Sequence, residues 1–221
     1  MDGSFVFERV PEVPEARLVI DIGGQDSKVI AVDAGGLVSQ FAMNDRCAAG
    51  TGKFLETLAR AVGVELEKMG PMAMEAAEIL KISNMCATFA ETEVIALLAE
   101  GKPKTDILGA VHAAIAHRTM GLVARVGARA PMVMTGGVAK NIAAVKHIEA
   151  ALKCELIIPS DPQIAGALGA ALFALDEVTT AGQGDEDDAV DAQMDDIRCG
   201  TPQCTVKRAE MGTDTHVIHG P

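Results

Sequence analysis

RLVIDIGGQDSKVIAVDAGGLVSQFAM, residues 17–43, decides how this chain folds. Arg17 to Ile22 is a short apolar run carrying one carboxylate, Asp21, near its end. The loop Gly23-Gly24-Gln25 follows, and Ser27 to Val32 has the composition of a second strand. A turn at Asp33-Ala34-Gly35-Gly36 leads into a third strand, Leu37 to Met43. Apolar runs punctuated by Gly-rich turns predict strands joined by tight reversals, so the segment reads as an antiparallel, hairpin-like start.

Helix signals begin near Ala49. In KFLETLARAVG (53–63), Phe54, Leu55, Leu58, Ala61 and Val62 fall at helical spacing. An alanine- and methionine-rich stretch continues as helix to about Leu80. ETEVIALLAE (91–100) predicts another helix, stopped by Gly101. Thr105 or Asp106 is expected to cap a long helix to about Val126, and PMVMT (131–135) reads as a buried strand. Gly136-Gly137 then turns into a helix from about Ala139 to Leu152. Glu155 to Ile158 is expected as a strand. A Gly- and Ala-rich helix from Gln163 to Val178 should pack closely on its neighbours. Beyond it, seven acidic residues crowd into 182–196 and periodicity is lost, which predicts a solvated, disordered tail. The expected organisation is a leader (1–16), an α/β lobe (17–178) and the acidic tail (179–221).

Composition narrows the function. With 221 residues and 49% apolar content the chain can bury a sizeable core. Aromatics are 3%, with no Trp and no Tyr, so base-stacking modules are excluded. A net charge of −12 repels a phosphate backbone and an anionic membrane surface alike. No run is expected to span a membrane, and the first residues lack the order of a signal peptide. The expected location is the cytoplasm, where five cysteines are thiols or metal ligands rather than a disulfide framework.

Four motifs carry chemistry. In Asp21-Ile22-Gly23-Gly24-Gln25-Asp26, bare glycines let backbone N–H groups approach a phosphate, and the carboxylates of Asp21 and Asp26 could hold Mg²⁺ or orient water. An ordinary β-turn explains the same residues. In Thr135-Gly136-Gly137-Val138-Ala139-Lys140-Asn141, a buried strand enters a glycine turn and a helix, where a flat ring or a phosphate can lie on bare backbone; a plain strand-to-helix turn is the alternative. Cys47 and Cys86 each stand just ahead of a helix, 39 residues apart, where helix dipoles favour a thiolate. Two cysteines are half of what a [4Fe–4S] cluster needs, so a dimer could share one; two buried apolar thiols are the simpler reading of spacing alone. CGTPQC (199–204) is read as an unpaired pair of tail thiols, with metal binding as the alternative, Cys154 as core, and His112 and His117 as packing or surface residues.

Taken together, DIGGQDSKVI (21–30), MNDRCAAGTGKFLE (43–56), SNMCATFAETEVIALLAEG (83–101) and VMTGGVAKN (133–141), followed by GALGAALFAL (166–175), resemble the BadF/BadG/BcrA/BcrD ATPase family. That family includes activators of 2-hydroxyacyl-CoA dehydratases and ATPase subunits of benzoyl-CoA reductases, and the resemblance covers roughly residues 17–177. It implies an α/β fold: the second lobe of an acetate kinase, sugar kinase, heat-shock chaperone and actin type (ribonuclease H-like) ATPase, with a mixed sheet flanked by helices.

The resemblance also implies roles. Asp21, Gln25 and Asp26 would serve catalysis, with Gly23 and Gly24 in a phosphate-binding turn. Gly136, Gly137 and Asn141 would form the adenosine-binding turn. Cys47 and Cys86 would ligate one [4Fe–4S] cluster shared across a dimer with a second protomer or related subunit. ATP with Mg²⁺ would drive electron delivery from a ferredoxin or flavodoxin to a CoA-ester dehydratase or reductase. Family members begin with another lobe carrying the first phosphate turn. Here the expectation is that this lobe is a separate polypeptide, or that the reading frame is truncated or misannotated; either way the chain is not expected to hydrolyse ATP by itself, while cluster ligation stands. The rival class is a cluster-free, nucleotide-binding regulatory subunit. A sugar- or acetate-kinase-like phosphotransferase is disfavoured, because no segment supplies a substrate-hydroxyl pocket with a base.

Overall fold

A computed structural model describes residues 13, 15–44, 50–78, 80–83 and 86–181. Most of the expected leader, nearly all of the acidic tail, Cys199 and Cys204 lie outside the described residues. The opening is as the sequence predicts. Strands β1 (Leu18–Ile22), β2 (Ser27–Val32) and β3 (Val38–Asn44) form an antiparallel meander. Strand β4 (Met132–Thr135) then joins β1 in parallel, giving a mixed sheet in the order β3-β2-β1-β4.

Alternation along the strands sorts side chains to two faces. Leu18, Ile20, Ile22, Val29, Ala31, Ala42, Met132 and Met134 point into the main core with the helices. On the other face, Val19, Ile30 and Val32 form a small separate cluster. Asp21, Lys28 and Thr135 share that thinner face by register, since Asp21 is the cross-strand partner of both Lys28 and Thr135. The sheet therefore turns polar at the end where β1 and β4 finish.

Helix α1 (Gly52–Val62) buries Phe54, Leu55, Leu58, Ala59 and Val62 and ends at Gly63 in the left-handed conformation, φ 68°. Helix α2 (Leu66–Ala73) stops earlier than the composition suggests. The reason is Asp106, buried at the start of α4 (Lys104–Val126), whose Oδ1 accepts from the N–H groups of Ala77 and Glu78 at 2.7 and 3.2 Å. Those amides are thereby taken out of a helical ladder. Asp106 does not cap its own helix; Pro103 occupies the N-cap position of α4 with no side-chain cap bond. Helix α3 (Ala87–Ala99) begins earlier than expected, with Cys86 as its N-cap residue.

Helix α4 is long and apolar enough to cross a membrane by length and composition, contrary to expectation, yet 67% of that stretch is buried inside the fold. It is the central core helix. The helix expected from Ala139 is interrupted: residues Gly137–Lys140 form a 3-10 turn, and α5 (Ile142–Leu152) starts only after Asn141. The strand expected at 155–158 is reduced to one parallel bridge, Ile157 to Val133, because Pro159 has no N–H with which to extend it. Helix α6 (Ala165–Ala181) also departs from expectation: Leu168, Phe173, Leu175 and Val178 are exposed rather than packed. Cys154 is half-buried instead of core, its thiol donating to the Glu155 carbonyl at 3.3 Å.

Candidate functional site

The polar end of β1 opens into a cleft of about 1100 Å³. The Gly23-Gly24 turn and α1 form one side. The 136–141 turn forms another, with α2 and the start of α6 closing it. Asp21, Gly23, Gly24, Gln25, Gly136, Gly137 and Asn141 all line it, so two motifs more than a hundred residues apart meet in one site.

Three strands hold Asp21. Thr135, fully buried, donates its hydroxyl to Asp21 Oδ1 at 2.8 Å. Lys28 lies 3.6 Å from Asp21 Oδ2 and donates to Asp26 Oδ2 at 2.7 Å. One ammonium thus bridges both carboxylates, and Asp26 sits at the rim rather than in the lining. The sequence reading did not assign roles to Lys28 or Thr135. The hairpin register could have found Lys28, because a turn that pairs Ile22 with Ser27 places Asp21 opposite Lys28.

The glycine turn is welded to α1. Gly52 and Lys53 donate their N–H groups to the carbonyls of Gly23 and Gly24 at 2.9 and 2.7 Å. Gly23 N–H closes the turn onto the Asp26 carbonyl at 3.0 Å. A Cβ on Gly24 would meet nothing within 4 Å, so this glycine faces open cleft. Lys53 bonds Glu56 at 2.9 Å; that contact, opposed by desolvation and aided by Arg60, holds the Glu56 carboxyl below its usual range.

Gly136 has a different reason to be glycine. Its φ is +85°, and a Cβ there would lie 2.3 Å from the Ile22 carbonyl oxygen. The backbone therefore crosses directly over the end of β1. Asn141 then caps α5, its Oδ1 accepting from Ala143 and Ala144 N–H at 3.1 Å each. Gly70 of α2 packs against that carboxamide, where a Cβ would approach Oδ1 to 2.7 Å. Lys140 reaches across the turn to Gln163 Oε1 at 3.0 Å. Bare backbone, an amide cap and a cationic rim suit a phosphate-bearing ligand.

Cys86 is elsewhere. Cys86 does not line the cleft; it is half-buried at the start of α3, beside the exposed Phe89. Cys47 falls in 45–49, outside the described residues. Among the described residues no group of three or more His, Cys, Asp and Glu side chains is arranged to hold a metal.

The profile of the BadF/BadG/BcrA/BcrD ATPase family matches residues 10–174. The chain is 44% identical over 165 residues to the 2-hydroxyisocaproyl-CoA dehydratase activator of Clostridioides difficile, covering 75% of this chain and 62% of that protein. It is 48% identical over 162 residues to the activator of lactoyl-CoA dehydratase of Anaerotignum propionicum, covering 73% and 62%. It thus spans less than two thirds of the length of these relatives. Among solved structures, the activator of the 2-hydroxyisocaproyl-CoA dehydratase from Clostridium difficile with bound ADPNP superposes with a TM-score of 0.76 at 39% identity, covering 85% of this chain and 70% of that one. The α/β lobe with a mixed sheet flanked by helices is the fold that the resemblance implied.

Proposed function

The chain belongs to the BadF/BadG/BcrA/BcrD ATPase family, and from that premise we propose that it is a cytoplasmic, ATP-dependent one-electron activator component serving a 2-hydroxyacyl-CoA dehydratase or a benzoyl-CoA reductase type of enzyme. The observation that carries the reading is the cleft, where Asp21 is clamped by Thr135 and Lys28 between two glycine turns. A similar structure, named as binding ADPNP, supports a nucleotide there.

In this reading Gly23 and Gly24 admit the phosphates, and Gly136, Gly137 and Asn141 shape the seat of the adenosine. Asp21 would hold Mg²⁺ or orient the attacking water, with Gln25 and Asp26 beside it. With a companion first lobe supplying the other phosphate turn, water would attack the terminal phosphorus, the bond to the bridging oxygen would break, and ADP and phosphate would leave. Cys86 and Cys47, with the same pair from a second protomer or related subunit, would hold a [4Fe–4S] cluster. Bound there, the cluster would take up and release one electron, supplied by a reduced ferredoxin or flavodoxin. α2 lines the cleft, and Asp106 ties Ala77 and Glu78, which follow it, to the start of α4. Nucleotide can shift that linkage only by binding one arrangement better than the other.

The test is iron and acid-labile sulfide per dimer on oxygen-free protein, for wild type and Cys47→Ser, together with titration of an ATP analogue. About four of each per dimer, lost in the variant, is the expected result. A colourless protein that binds the analogue would leave the regulatory-subunit reading in its place.

A further inference from the structure

Three lysines line the cleft, and they are held differently. Lys53 is paired with Glu56 of its own helix, and Lys140 donates to the neutral Gln163 amide oxygen. Lys28 sits on the two carboxylates at the glycine turn, its Nζ 2.7 Å from Asp26 Oδ2 and 3.6 Å from Asp21 Oδ2.

The carboxylate oxygens divide into two sets. Asp21 Oδ1 takes the Thr135 hydroxyl and lies 3.0 Å from where a Cβ on Gly136 would stand, so it is committed to β4. Asp26 Oδ1 lies against Gly23, 2.9 Å from the position of a Cβ there. One Oδ2 from each side chain is left to the Lys28 ammonium. Oxygens of two carboxylates gathered round one positive charge are a donor set that fits a hard cation such as Mg²⁺. Lysine and metal therefore compete for the same atoms.

Charge decides what displaces the lysine. A divalent cation entering alone comes close to the ammonium, and the two repel. The Lys28 side chain is 22% exposed and that of Asp21 14%, so water screens the repulsion only in part. A cation that arrives with phosphates brings anionic oxygens to which the ammonium can turn. Lysine suits this exchange, because it binds phosphate as a point charge on a flexible stem.

We propose that Lys28 is the resident counter-ion of Asp21 and Asp26 and makes metal loading depend on phosphate: it excludes a bare divalent cation, and yields the carboxylates to a metal accompanied by phosphates, which it then holds. The nucleotide reading of the cleft enters only in the identity of that phosphate ligand.

The experiment uses the full chain and two titrations. Mn²⁺, a paramagnetic substitute for Mg²⁺, is titrated alone and followed by electron paramagnetic resonance. Pyrophosphate and ADP are titrated by calorimetry at saturating Mg²⁺. In Lys28→Met, Mn²⁺ alone should bind about tenfold tighter, while pyrophosphate and ADP bind about tenfold weaker, the low end of what a neighbour of metal ligands changes. Lys28→Arg keeps the charge and should leave Mn²⁺ affinity near wild type. A lysine that merely braces the hairpin would shift all ligands in one direction or none. Unchanged or weaker Mn²⁺ binding in folded Lys28→Met overturns the proposal, as does unchanged pyrophosphate binding. If that variant does not fold, the uncharged Lys28→Gln is read for the same opposite shifts. If wild type binds magnesium pyrophosphate but no ADP, the nucleotide reading falls, and the Mn²⁺ and pyrophosphate titrations still judge Lys28. If ADP binds and Lys28→Met shifts nothing, that reading stands and the role of Lys28 falls.

Discussion

Thr135 and Asp21, 114 residues apart in sequence, are cross-strand partners, and the threonine hydroxyl, itself buried, donates to the partly exposed aspartate at 2.8 Å. If Asp21 orients Mg²⁺, its geometry depends on that donor. Thr135→Val keeps the shape and removes the hydroxyl. We expect Mg²⁺-dependent binding of a nonhydrolysable ATP analogue to weaken about tenfold, the low end of what loss of an outer-shell partner costs a metal site. Calorimetry with and without Mg²⁺ reads this directly. Equal affinities would show that Asp21 needs no help from Thr135.

The two glycine turns should respond oppositely to alanine. Gly136→Ala drives a Cβ into the Ile22 carbonyl at a positive φ and should cost more than about 3 kcal/mol or prevent folding. Gly24→Ala meets open space and should leave stability within roughly 0.5 kcal/mol while impairing nucleotide binding. Urea midpoints and analogue titrations on both variants separate architecture from ligand contact. A stable Gly136→Ala protein would contradict the close crossing over β1.

Asp106 ties the segment leading toward Cys86 to the start of α4. Asp106→Ala removes the acceptor of two N–H groups and should destabilise by about 2 kcal/mol, with Asp106→Asn losing less. Hydrogen exchange should rise at Ala77 and Glu78 first. Protection unchanged there in a folded Asp106→Ala protein would show that the tie is unnecessary.

Acid should weaken the fold before carboxylates titrate. Burial lowers His112 to about 4 from an ordinary 6.5, and His147 is lowered as well, also by burial. Between those values the unfolded chain binds more protons than the folded one, so this contribution is fully present above 6.5 and is lost as pH falls toward 4. For His112 alone the loss approaches roughly 3 kcal/mol at 1.36 kcal/mol per unit. Denaturation at pH near 7.5 and near 5 should show it, and His112→Leu should flatten most of the slope. A wild-type stability that is level across that range would mean the ring is not buried in solution.

The meander, α1 and α4 were legible because their signals are local: Gly-rich turns between apolar runs, and Phe54, Leu55, Leu58 and Val62 on one helical face. The cleft lining was legible only through family likeness, since a glycine pair by itself does not say what lies above it. What escaped was set by contacts distant in sequence. Asp106 looked like a helix cap and instead holds Ala77 and Glu78. The 139–152 helix was broken at Asn141 because the chain must cross β1 at Gly136 before it can start α5. Lys28 was missed because its charge has meaning only opposite Asp21.

The parallel pairing of β1 with β4 also sets a clock on synthesis. β1 ends at Ile22 and its neighbour begins at Met132, so at roughly 5–20 residues per second the ribosome needs several to about twenty seconds to deliver the partner strand. Throughout that interval Leu18, Ile20 and Ile22 stand on an open sheet edge, the kind of surface that invites pairing with another nascent chain. Chaperone demand in the cell should therefore concentrate on this early meander, and slowing translation within the long α4 segment should raise aggregation more than slowing it after β4 has emerged.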